Sequence, residues 1–222
     1  MVKIIQLNKS VYDDNNKRAE ELRGYLRQKG VYLVNVMSSP GAGKTTTLIA
    51  LINRLSKTYK IGVMEADIDS DVDAQKVADC THCKSIQLHT GGMCHLDADM
   101  TKQGLDELGI DDLDVVFLEN VGNLVCPAEF DTGALLNMLI ASVPEGDDKP
   151  VKYPLAFGSC ELVLLNKTDA LPYFDFDSQK FLHNVKMRNK NATVIPISAK
   201  TQHNVDAAIE YLSQKISRFK ES

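Results

Sequence analysis

The sequence predicts an α/β fold in three layers, with a mostly parallel sheet covered by helices on both faces. Three observations lead there. Short apolar runs recur along the chain and are nearly continuous, the pattern of strands buried on both sides. Segments with apolar residues at helical spacing separate them. A glycine-rich stretch lies between the first apolar run and the helix that follows it.

In chain order, residues 10–29 alternate charges with a thin apolar set, Val11, Ala19, Leu22 and Leu26, and read as a surface helix ended by Gly30. Residues 31–37 (VYLVNVM) form the first strand. Residues 45–57 place Leu48, Leu51, Ile52 and Leu55 on one helical face. Strands are expected at 61–65, 85–88 and 115–118, with a helix at 96–108. The apolar runs 136–143 and 162–165 are bounded by loop residues. Residues 181–188, 193–197 and 205–219 complete a helix, strand, helix series. Residues 144–157, rich in charge and proline, read as an exposed excursion. The chain divides into a lead-in helix, 1–30, and one nucleotide-type domain, 31–222.

Composition narrows the partners. The 222 residues are 44% hydrophobic and 25% charged, as in an ordinary globular protein. With 25 basic and 30 acidic residues the charge is −5, which offers no basic surplus for a nucleic-acid backbone. No apolar run approaches the ~20 residues of a membrane helix, and the first residues do not resemble a secretory signal. A cytoplasmic chain is therefore expected, its five cysteines reduced and available as thiols or metal ligands.

Residues 38–45 (SSPGAGKT) follow a strand and open a helix. Backbone N–H groups of such a loop curl around phosphate oxygens, and the helix N-terminus adds partial positive charge. Gly41, Ala42, Gly43, Lys44, Thr45 and Thr46 are the expected phosphate contacts, with Lys44 on the β- and γ-phosphates and the Thr45 hydroxyl toward Mg²⁺. Ser38 stands where the usual pattern has its first glycine. The fold class is thus that of a P-loop NTPase.

The strand at 162–165 runs into Asn166-Lys167-Thr168-Asp169. A carboxylate at Asp169 can accept from guanine N1 and the 2-amino group, a donor pair that adenine lacks. Ser198-Ala199-Lys200, after the next strand, supplies a second base-side loop whose backbone N–H can meet guanine O6. The nucleotide expected is GTP or GDP. Residues 114–122 (DVVFLENVG) end an apolar strand in Glu119, placed for the Mg²⁺ shell, and Gly122, placed to sense the γ-phosphate. Asp67 ends the second strand and is the favoured further acid, with Asp73 next; Asp69 and Asp71 read as solvated loop charges. Lys44, Asp67 and Glu119 are the catalytic candidates. No glutamine or arginine finger can be assigned, so hydrolysis by the lone chain should be slow.

The combination SSPGAGKTT, GGMCHLDA, ENVGNLVCP and NKTD resembles the HypB family, GTPases that insert nickel during maturation of NiFe hydrogenases. The likeness covers nearly the whole chain from Val31. It implies a metal site at Cys94, His95 and Cys126, GTP-dependent homodimerisation, and two partners: a zinc-containing HypA-type metallochaperone and the hydrogenase large-subunit precursor. Two thiolates and an imidazole suit Ni²⁺ or Zn²⁺ and are poor Mg²⁺ ligands. Three protein ligands leave such a site open, able to release its metal. Cys94 and His95 are expected at a helix start, where the dipole favours a thiolate. Cys126 follows Gly122 by four residues, so loss of the γ-phosphate is expected to alter the metal site. The alternatives are a GTPase chaperone for urease or a cobalamin enzyme, and a small-molecule kinase. The Cys-Pro-His motif of urease GTPases is absent, and NKTD followed by SAK argues against a kinase.

Cys80 and Cys83, a lone CxxC, read as two partly buried thiols at a turn, and Cys160 as core. His89 reads as an exposed loop residue; His183 and His203 carry no constellation. Residues 1–79 hold neither cysteine nor histidine, so no N-terminal nickel store is expected.

Overall fold

A computed structural model describes residues 9–67 and 79–221. Seven strands form one sheet: β1 (Tyr32–Ser38), β2 (Ile61–Asp67), β3 (Lys84–His89), β4 (Val115–Glu119), β5 (Leu136–Ser142), β6 (Leu162–Asn166) and β7 (Thr193–Pro196). Their order is β3-β2-β4-β1-β5-β6-β7, and every pairing is parallel. The sheet is thus parallel throughout the described residues. β1, β4 and β6 are buried along their whole length, in keeping with their largely apolar character.

Successive residues of β1 serve opposite faces. Val34 and Val36 pack with α2 (Lys44–Leu55) and the C-terminal helix α8 (Val205–Lys220). Leu33 faces α1 (Lys9–Lys29) and α3 (Ala98–Leu108) on the other side. Further along that second face, Met37 packs with Phe157 and Phe181 of α6 (Pro154–Ser159) and α7 (Ser178–Arg188).

The first helix is tied down more firmly than its thin apolar stripe suggests. Ala19, Leu22 and Leu26 are buried. Arg23 makes a bidentate pair with Asp131, at 2.9 and 2.7 Å. Asn15 accepts from the Ala98 N–H at the start of α3, and Arg18 pairs with Asp99.

The stretch 144–157 departs from expectation. It is not an exposed excursion: α5 (Lys149–Lys152) and α6 each begin on a proline-containing first turn, and Pro150, Ala156 and Phe157 are buried. Phe157 meets Phe181 edge-on at 6.1 Å. A few large apolar residues among the charges suffice to fold it onto the sheet.

One polar seam crosses the core. Asn120 donates to Asn35 at 3.0 Å, Asn35 to Asn137 at 2.9 Å, and Asn137 to the Ser159 carbonyl. Among the described residues no helix is long and apolar enough to cross a membrane.

Candidate functional site

Chain order reverses across β1, with β4, β2 and β3 to one side and β5, β6 and β7 to the other. Parallel sheets open a crevice at the carboxyl ends of such strands, and the loop between β1 and α2 lies there. Gly43 precedes α2 with φ 93°, and a Cβ on it would sit 2.5 Å from Asn166 Nδ2. Only glycine fits both conditions.

Two cavities meet at Gly43 and Thr46. The first, about 520 Å³, is lined by Gly41, Lys44, Thr45, Glu65, Glu119 and Gly122 among others. Lys44 donates to the Asn120 carbonyl at 2.6 Å and lies 3.5 Å from Glu119. The Thr45 hydroxyl is 3.5 Å from the same carboxylate oxygen. A hydroxyl and a carboxylate side by side are hard oxygen donors, the set that suits Mg²⁺. Ala42 is buried behind this loop, and its carbonyl accepts from Asn166.

The second cavity, about 560 Å³, is lined by Asn166, Lys167, Asp169, Ala199 and Lys200. Its walls are wired together. Asn166 donates to Ala42 and accepts from the Ala199 N–H, both at 3.0 Å. Lys167 donates to the Gly41 carbonyl at 2.6 Å, and the Ser198 hydroxyl to the Asp169 carboxylate at 2.7 Å. The base-side motifs and the phosphate loop therefore form one continuous network.

The cysteine corner lies beyond Gly122. A Thr90–Met93 turn, carried by Gly91 and Gly92 at positive φ, presents Cys94. Cys126 opens the short helix α4 (Cys126–Glu129). The two thiols influence each other: the neighbouring thiol pushes the Cys94 pKa up, and Cys94 together with the Asn123 side chain pulls that of Cys126 down. The expected dipole effect on Cys94 is thus overturned: α3 starts only at Ala98, and the Asp97 side chain caps it by accepting from Met100. His95 Nδ1 lies 4.0 Å from the Cys94 sulfur, and its ring stacks on Phe130 at 3.8 Å. Among the described residues no three His, Cys, Asp or Glu side chains converge as a finished cluster. What the corner offers is two thiols on loops that Asn123 joins, with an imidazole beside Cys94, borderline-soft donors suited to Ni²⁺ or Zn²⁺.

The remaining predicted residues divide. Asp67 ends β2 in register with His89, whereas Asp69, Asp71 and Asp73 lie outside the described residues. Cys160 is buried, and burial pushes its thiol far up. Cys80 is exposed and Cys83 half-buried. Three residues escaped the sequence reading. Glu65 is buried, lines the first cavity and pairs in register with Glu119; an acid inside an apolar strand was its signal. Asn123 and Phe130 support the cysteine corner, and nothing in their spacing marked them.

The profile of the CobW/HypB/UreG nucleotide-binding domain matches residues 32–196. The hydrogenase maturation factor HypB of Rhizobium leguminosarum bv. viciae is 38% identical over 216 residues, 97% of this chain and 72% of that protein. The probable hydrogenase maturation factor HypB of Methanocaldococcus jannaschii is 32% identical over 99% of both chains. The crystal structure of HypB from Helicobacter pylori in complex with nickel superposes with a TM-score of 0.87 at 33% identity, covering 92% of this chain and 96% of that one.

Proposed function

This chain belongs to the HypB family, within the CobW/HypB/UreG nucleotide-binding group, and on that premise we propose that it is a GTP-hydrolysing metallochaperone. It assists nickel insertion into NiFe hydrogenase precursors in the cytoplasm, and its nucleotide state sets its hold on the metal. The observation that carries this reading is continuity: Val121 and Gly122 line the first cavity, and Cys126, four residues on, is joined to the Cys94 loop through the Asn123 side chain.

Guanine selection falls to Asp169, held by Ser198. Asn166 and Lys167 brace the phosphate loop against the base side, and the backbone around Ala199 and Lys200 closes over the base. Gly41, Ala42, Gly43, Lys44, Thr45 and Thr46 take the phosphates, with Gly122 beside the γ-phosphate. Thr45, Glu119, Asp67 and Asp73 would hold Mg²⁺, which supplies charge neutralisation at the transferring phosphoryl group. Lys44 adds a fixed positive charge there. The nickel cargo, or Zn²⁺ in its place, takes Cys94, His95 and Cys126. A HypA-type metallochaperone, the hydrogenase large-subunit precursor and a second copy of the chain under GTP are the proposed partners.

The test is a titration of Ni²⁺ and Zn²⁺ into nucleotide-free, GDP-bound and GTP-analogue-bound protein, with Cys126→Ala alongside. Affinity should differ between nucleotide states by at least about fivefold, the lower end of ordinary allosteric coupling, and should fall in the variant. Identical affinity in all three states, unmoved by Cys126→Ala, removes the mechanism.

A further inference from the structure

We propose that Asn123 is a positioning residue for the metal cargo, a side-chain bridge that holds the Cys94 and Cys126 loops at ligand distance and ties both to the phosphate-side segment. The inference rests on the metal-carrier reading above.

The Asn123 amide is used on both its ends. Nδ2 donates to the Cys94 carbonyl at 3.3 Å. Oδ1 accepts from the Val125 N–H at 2.7 Å and from the Cys126 N–H at 3.3 Å. One side chain therefore touches both thiol-bearing loops.

The other side of the bridge is the first cavity. The Asn123 N–H donates to the Val121 carbonyl at 2.7 Å. Val121 and Gly122 are cavity-lining residues, so the three residues form one tight turn. A displacement of Val121 or Gly122 moves Asn123, and with it the span from Cys94 to Cys126. Asn123 sets the register in which a phosphate-side movement reaches the sulfurs.

Two roles make different predictions. If Asn123 served only to shape the turn, an acceptor oxygen for Val125 and Cys126 would suffice, and Asn123→Asp would keep it. The bridge also needs the N–H donors, which aspartate lacks. The added negative charge would by itself favour a cation, so any loss in Asn123→Asp reports the missing donors.

The experiment measures Ni²⁺ affinity by chelator competition, and the thiolate-to-nickel charge-transfer band, in GDP and GTP-analogue states. The proteins are the parent, Asn123→Asp, Asn123→Ala and Cys126→Ala, with a thermal melt of each. Asn123→Asp should melt near the parent, yet bind Ni²⁺ about 10–100-fold more weakly, the usual cost of losing an outer support of a metal site. Its charge-transfer band should weaken, and its affinities in the two nucleotide states should converge. Asn123→Ala should do the same. Parent-like affinity and nucleotide dependence in Asn123→Asp overturns the bridge while Cys126→Ala still loses nickel. Parent-like nickel binding in Cys126→Ala overturns the metal-carrier reading itself, and the bridge with it.

Discussion

The base-side cavity and the cysteine corner flank the same phosphate loop, yet they are held in opposite ways. Around the base side, Asn166, Lys167 and Ser198 each bind a group on another segment, and those segments are separated by up to 126 residues. The corner depends on one asparagine and one aromatic stack. A site tied across many segments keeps its shape and discriminates; one held by few ties yields when its support moves. The proposed selection of the nucleotide and surrender of a metal ask for those two behaviours.

The largest expected effect breaks the rigid side. On the proposed reading, Asp169→Ala would remove two charge-assisted hydrogen bonds to guanine, each worth about 1.5–3 kcal/mol. The preference for GTP over ATP in competition binding should fall by about 10²- to 10⁴-fold, and an unchanged preference would place base recognition elsewhere. A smaller change separates the two regions. Gly43→Ala forces a side chain into φ 93° against Asn166, which should cost about 1–3 kcal/mol of stability. Nucleotide binding should weaken with it, while nickel affinity without nucleotide stays as in the parent. Equal losses in both would mean that the corner shares the phosphate loop's framework.

The smallest effect concerns the outer anchor of the corner, Asp131, which follows Phe130. Burial raises its pKa, but the Arg23 guanidinium and the Gly133 N–H outweigh burial and hold it below the ordinary value. A depressed carboxyl contributes stability that is complete above its unfolded pKa, about 3.9, and is lost as pH falls through the lower folded value. Asp131→Asn should therefore lower stability at neutral pH and flatten its decline in acid. Melts between about pH 2 and pH 6 check the sign; a parallel curve would show that the pair contributes nothing.

The strands were legible because their burial on both faces leaves a nearly continuous apolar run, as in residues 31–37, broken only by Asn35, and 162–165. The phosphate loop and NKTD were legible because local backbone chemistry needs those residues in that order. What escaped depends on distance in sequence. Phe157 finds Phe181 across 24 positions, and nothing within 144–157 announces that partner. The apolar spacing from Leu96 predicts a helix start beside Cys94, whereas the Asp97 cap delays the helix to Ala98. Asn123 acts through a contact 29 residues away, which its neighbours do not reveal.

The asparagine seam through the core bears on how the sheet is assembled. Parallel strands close long loops before they gain contacts, so they form slowly and can pair out of step. A one-residue slip between apolar strands would turn each side chain to the wrong face, and in this sheet it would also part Asn35 from Asn137 and Asn120 from Asn35. Each stranded amide costs about 1–3 kcal/mol when buried. The three amides thus act as a proofreading mark on the central strand, penalising misaligned intermediates while β4, β1 and β5 are still finding one another.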